Sequence, residues 1–110
     1  MGGSQGAAQE RQPTVTVRFR SEAASDVWLA REWYDAKRPG LGNEFVQALE
    51  RVIDLISDLP EAFPEIGMGV RRALLARFPY AVYYRLDSDI LDVIACLHTR
   101  RSPSRWRSRG

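Results

Sequence analysis

VRRALLARFPYAVYYRLDSDILDVIACLHTRRSPSRW, residues 70–106, is the stretch whose reading decides the fold. In its middle Tyr80, Val82, Tyr84 and Leu86 alternate with Ala81, Tyr83 and Arg85, the period of two that puts one set of side chains on each face of a strand. Residues 70–77 and 90–98 are runs of strand length on either side, the second rich in Ile and Val. Asp87-Ser88-Asp89 separates the last two as a hairpin turn, by composition and by length. Three successive strands at hairpin spacing predict a mainly antiparallel sheet.

Upstream the periodicity changes. Residues 14–20 alternate Val15, Val17 and Phe19 against Thr14, Thr16, Arg18 and Arg20, which predicts one more half-buried strand. Ala23, Val27, Ala30 and Tyr34 then recur at helical spacing, predicting a helix over 22–38 with Ser21 as its cap and Glu22 in the favourable first turn. Arg38-Pro39-Gly40-Leu41-Gly42 breaks it. A second helix, capped by Asn43, carries the stripe Phe45, Leu49, Val52, Ile56 and Leu59 and ends at Pro60. So short a connection folds the two helices into an antiparallel hairpin. PEAFPEIGMG, residues 60–69, reads as a loop with Phe63 tucked beneath the hairpin. Residues 1–13 lack periodicity and apolar mass and read as a disordered leader, 14–106 as the domain, and 107–110 as a basic tail. The expected class is α+β, in the order β-α-α-β-β-β, with the hairpin across one face of the sheet.

One domain is what 110 residues allow, and 45% hydrophobic with 27% charged residues is an ordinary balance for a globular protein. No apolar run approaches a membrane span, and no secretory signal pattern opens the chain. A single cysteine, Cys96, excludes an internal disulfide and a multi-cysteine metal site, and points to a reducing, cytoplasmic setting. The net charge of +2 hides a polarity. Residues 66–110 hold nine arginines against three acids, whereas residues 1–65 hold seven basic residues against eleven acids. Such asymmetry bears on partners, not on fold.

Catalytic motifs are wanting. No Gly-rich phosphate loop, HExxH or nucleophile elbow occurs, so neither cofactor nor metal is expected. His98, the sole histidine, stands at a strand end, where it either works as an acid or base near neutral pH or satisfies a backbone group. Cys96, within VIACL, reads as a buried inert thiol. The cationic residues of this half are all arginine, which grips phosphate or carboxylate through paired hydrogen bonds and stacks on rings. With Trp106 and the tyrosines nearby, the surface suits a nucleic acid or an acidic protein, the alternative being a solvated strand face. Trp106 is itself expected to fold back on the sheet as a C-terminal anchor.

Four pieces in order, DVWLAREWY (26–34), PGLGNEF (39–45), VRRALLARFPYAVYYR (70–85) and LHTRRSPSRW (97–106), resemble the RelE/ParE superfamily of bacterial type II toxins, often labelled plasmid stabilisation proteins. The likeness spans about residues 15–106. It implies a growth-inhibiting toxin neutralised by a cognate antitoxin, with one of two targets. RelE-like members cut messenger RNA in the ribosome; ParE-like members poison DNA gyrase.

The resemblance also implies which residues to weigh. In the ribonuclease branch a catalytic arginine follows the residue opening the middle strand; here Tyr80 opens it and Ala81 stands in the arginine's place. Arg100 matches a second catalytic arginine. Six residues on, where that branch places a proton-accepting tyrosine, this chain has Trp106, whose indole N–H cannot accept a proton. Two of three groups are therefore missing, and the ParE-like branch is favoured. On this reading Arg71, Arg72, Arg100, Arg101 and Trp106 form a target-binding patch with no proton-transfer role. The alternatives are a ribosome-dependent nuclease using Arg100 and His98, and a decayed toxin that only binds its antitoxin.

Overall fold

Each of the two helices begins where the backbone forces it to, not where a polar side chain caps it. In the computed structural model, which describes residues 15–100 and 104–109, strand β1 (Thr16–Phe19) runs into helix α1 (Ser21–Lys37), and Arg20 in extended conformation is its N-cap. Ser21 is therefore the first helical residue and caps nothing. Helix α2 (Leu41–Asp58) starts from Gly40, whose φ of 90° is a left-handed geometry that glycine adopts without strain, so the Asn43 cap is likewise displaced. The predicted leader, residues 1–13, and Thr14 lie outside the described residues.

The hairpin closes on Gly42. Its N–H donates to Asp35 Oδ1 at 2.7 Å, and a Cβ at that position would lie 2.5 Å from the Arg31 carbonyl oxygen. The two helices meet there with no room for a side chain. From this corner Ala23, Ala30 and Tyr34 of α1 and Phe45, Leu49, Val52 and Ile56 of α2 are buried against the sheet. Leu59, assigned to the same stripe, is instead exposed, because it lies past the end of α2. Burying each large side chain contributes roughly 1.5–3 kcal/mol.

Five strands make up the sheet, in the order β1-β5-β4-β3-β2. β1 pairs parallel with β5 (Ile90–His98), and the remaining pairings, with β4 (Tyr80–Asp87), β3 (Val70–Leu74) and β2 (Glu65–Gly67), are antiparallel. β2 falls within the stretch expected to be loop. It is three residues long, between Pro64 and the turn Met68-Gly69, too short for any periodicity to register. β3 stops at Leu74, short of residue 77: the Leu75 N–H donates to the Tyr80 carbonyl, and Arg77 has a left-handed φ of 73°. Ser88 has a φ of 57° in the two-residue connection joining Asp87 to Ile90. Phe63 is half-buried against the core, its ring edge-on to Tyr84.

Both faces of the sheet are covered. Under the helices lie Ala73, Val82, Tyr84, Leu91, Val93 and Cys96, with an aromatic cluster of Tyr34, Phe45, Phe78 and Tyr80 at one end. Tyr84 donates its hydroxyl to the Pro60 carbonyl at 2.7 Å, and burial pushes its phenol up to about 12. The second face gathers Val70, Ala81, Tyr83, Ile94, Ala95, Leu97 and Trp106. Trp106 comes from a short helix, α3 (Ser104–Arg107), and stacks on Tyr83 with ring centres 5.8 Å apart. A bulge in β5 allows both sets. Tyr83 pairs with Ala95 but Tyr84 with Val93, so Ile94 and Ala95 share the second face and the alternation changes phase between them.

Candidate functional site

β5 outruns its neighbour. Its pairing with β1 ends at Val93, whereas its pairing with β4 continues to His98, so the outer edge of its last residues faces α1. Side chains satisfy part of that edge. Asp26 of α1 accepts the Cys96 N–H at 3.0 Å, and Arg109 donates to the Ile94 carbonyl at 3.4 Å. Arg109 also donates to both Asp26 oxygens and accepts from Arg20 through its own carbonyl. The predicted basic tail is thus tied to the domain at Arg109, while Gly110 lies outside the described residues.

Beside this edge opens a groove of about 740 Å³. Its floor is Cys96, Leu97 and His98, one wall is Leu29, Ala30, Trp33 and Tyr34 of α1, and Tyr80, Arg100 and Arg105 lie at its rim. Leu29 and Trp33 are 63% and 53% exposed, unusual for large apolar side chains on an otherwise polar helix face. Lys37 sits 4.6 Å over the Trp33 ring. Sequence periodicity passed over these two because they lie off the buried stripe; that position is itself the signal that would have marked them.

His98 and Arg100 both line the groove. The His98 Nδ1 accepts the Arg100 backbone N–H at 3.1 Å, so the neutral ring carries its proton on Nε2. The histidine does satisfy a backbone group. Cys96 is buried, and burial, reinforced by the Asp26 charge, pushes its thiol up to about 12, which leaves it un-ionised and inert near neutral pH.

Of the five residues assigned to a target-binding patch, the four that are described do not converge. Arg71 and Arg72 are neighbours on β3 and project to opposite faces. Arg71 reaches under the hairpin to donate to the Phe63 carbonyl at 2.6 Å, while Arg72 stands on the second face opposite Tyr83. Arg100 belongs to the groove, and Arg101 lies outside the described residues. Trp106, at 1% exposure, is sealed against the sheet and presents no ring to a partner, which agrees with its role as an anchor and not with a place in an exposed patch. Ala81 is fully buried on the second face, paired with Leu74 and Leu97.

Solved structures share this fold. A chain from the chromosomal ParDE TA system of P. aeruginosa is similar with a TM-score of 0.69 and 16% sequence identity, covering 79% of this chain and 98% of that one. At that identity the likeness is one of fold. No protein-family model matches the sequence, and the curated proteins contain no match to it.

Below the second face a buried carboxylate organises the start of the chain. Asp92, on β5, accepts from Arg20 Nη2 at 2.8 Å and Arg20 Nε at 3.0 Å, and from Arg18 Nε at 3.4 Å. Burial would raise its pKa, but the hydrogen bonds from Arg20 and then Arg18 outweigh that and hold the carboxyl below its usual range. Among the described residues no cluster of three potential metal ligands occurs, and no helix is long and apolar enough to cross a membrane.

Proposed function

We propose that this chain is the toxin of a type II toxin–antitoxin module, held silent by a cognate antitoxin in the cytoplasm and acting on DNA gyrase when released. The likeness to a chain of the ParDE TA system over nearly all of that chain is the observation that carries the reading. The groove beside α1 supports it. Leu29 and Trp33 offer apolar anchors and Arg100 and Arg105 a cationic rim, as an acidic segment folding on contact requires.

Gyrase is favoured over RNA cleavage by what occupies the positions that the RelE resemblance assigns to catalysis. Ala81 is buried and apolar, and Trp106 is buried with no partner for its indole N–H among the described residues. Neither supplies charge or accepts a proton, and losing such groups lowers rates by orders of magnitude each. The second reading, a ribosome-dependent nuclease, draws its support from His98, Arg100 and Tyr80 sharing the groove.

The test pairs two assays on the purified protein: gyrase supercoiling with accumulation of cleaved DNA, and toeprinting on translating ribosomes. Inhibition of gyrase with intact messages is the expected result. Message cleavage abolished by Arg100→Ala, with gyrase untouched, would establish the nuclease instead. Silence in both, with harmless expression, would leave an antitoxin-binding protein without a target.

A further inference from the structure

The second face of the sheet holds more positive charge than the groove and no described role uses it. Register puts Arg18 and Asp92 in one cross-strand row and Arg72 opposite Tyr83 in another. Tyr83 stacks on Trp106, and the Arg107 guanidinium sits 5.4 Å from the Trp106 ring centre. Arg72 and Arg107 therefore flank one aromatic pair, and among the described residues neither makes an ion pair. Arg18 and Arg20 share a single carboxylate, Asp92, and one of their two charges is left over. About three guanidinium charges thus spread across this face without acidic partners.

We propose that this face docks on the phosphate backbone of duplex DNA. Guanidinium groups match phosphate oxygens with paired hydrogen bonds, so the class of ligand is anionic and oxygen-rich. An acidic protein fits less well. Protein interfaces are held by apolar anchors seated in pockets, and here Tyr83, Trp106, Ile94 and Leu97 are already buried beneath the arginines. A single strand fits less well for a related reason, since unpaired bases need exposed rings to stack on, and both rings of this face are sealed. What remains is contact with a charged backbone and no reading of bases, which a duplex supplies. The surface is separate from the groove, so it holds whether the target of the chain is gyrase or the ribosome.

The experiment is fluorescence anisotropy of the full chain with a labelled duplex of about 20 base pairs, titrated with salt. Three neutralised phosphates predict a log–log slope near −2.7, a loss of roughly fortyfold between about 50 and 200 mM salt. Arg72→Glu and Arg107→Glu, each shown by circular dichroism and melting to stay folded, are expected to weaken binding at least tenfold and flatten the slope. Arg51→Glu, on the exposed side of α2, changes net charge equally and is expected to do far less. Absence of duplex binding at low salt overturns the proposal. So does an equal loss in all three variants, and so does tighter binding of the corresponding single strand or RNA. If the duplex is ignored but an acidic peptide binds and is lost with Arg72→Glu, the face belongs to a protein partner and the proposal fails.

Discussion

Asp26 and Arg109, 83 residues apart, meet at the outer edge of β5, where Asp26 accepts from both terminal nitrogens of the arginine and from the Cys96 N–H. One carboxylate thereby joins the first helix, the outer edge of the last strand and the turn that carries Arg109. Asp26→Ala leaves a strand N–H and a guanidinium unanswered at once and is expected to destabilise the fold by about 2–3 kcal/mol. Arg109→Ala should cost about 1 kcal/mol, because water can answer Asp26 in its place while the Cys96 bond persists. Urea unfolding midpoints measure both. Equal losses would mean that the strand-edge bond adds nothing.

Acid should attack the Asp92 cluster. Its carboxyl is held below the unfolded value near 3.9, so its stabilisation is complete above that value and is lost as pH falls through the folded one. Asp92→Asn is expected to lower the melting temperature at pH 7 and to make the remaining stability less sensitive between about pH 5 and pH 2. Parallel melting curves for both proteins across that acid range would contradict the assignment.

For Trp106 the prediction separates anchoring from recognition. Trp106→Ala empties a site at 1% exposure and should cost about 3–5 kcal/mol. Trp106→Phe keeps the stack on Tyr83 and removes an indole N–H that has no partner among the described residues, so the loss should stay near 1 kcal/mol. A phenylalanine variant as stable as the parent that nonetheless loses target inhibition would show that the indole does more than hold the chain end.

Two glycines of the hairpin fail in different ways. Gly42→Ala drives a Cβ to 2.5 Å from the Arg31 carbonyl oxygen, and spreading the helices should cost about 1–3 kcal/mol. Removing the nearby carboxylate with Asp35→Ala should not rescue it, since the collision is with backbone. Gly40→Ala meets open space, and its loss of about 1 kcal/mol comes from the left-handed φ alone. Denaturation of the four variants distinguishes the mechanisms, and rescue by Asp35→Ala would refute the backbone clash.

The elements with strong periodicity were legible in the sequence: β5 matches residues 90–98, β4 and α1 fall within a residue of expectation, and α2 ends as expected but begins three residues ahead of the helix that Asn43 would cap. What escaped had no period to show. β2 is three residues long, and α3 is a single turn recognisable only by the anchoring of Trp106. The helix caps were misplaced because Arg20 and Gly40 start helices by backbone conformation, which Ser21 and Asn43, the usual capping types, obscured. For the site, composition found the arginines but not their direction. Arg71 and Arg72 part company because adjacent strand residues face opposite ways, and only the register with Tyr84 and Tyr83 says which faces those are. Leu29 and Trp33 lie off the buried stripe of their helix, so a periodicity that reports burial does not report them.

The doubled step at Ile94 and Ala95 sets which layer each later residue of the final strand joins. Delete Ile94 or Ala95 and strict alternation returns with Leu97 and His98 still on their own faces, whereas deleting Cys96 would rotate Leu97 into the helical layer and turn His98 away from the cleft it now borders. Along this segment a lost letter keeps the meaning at the doubled step and reverses it anywhere past that point.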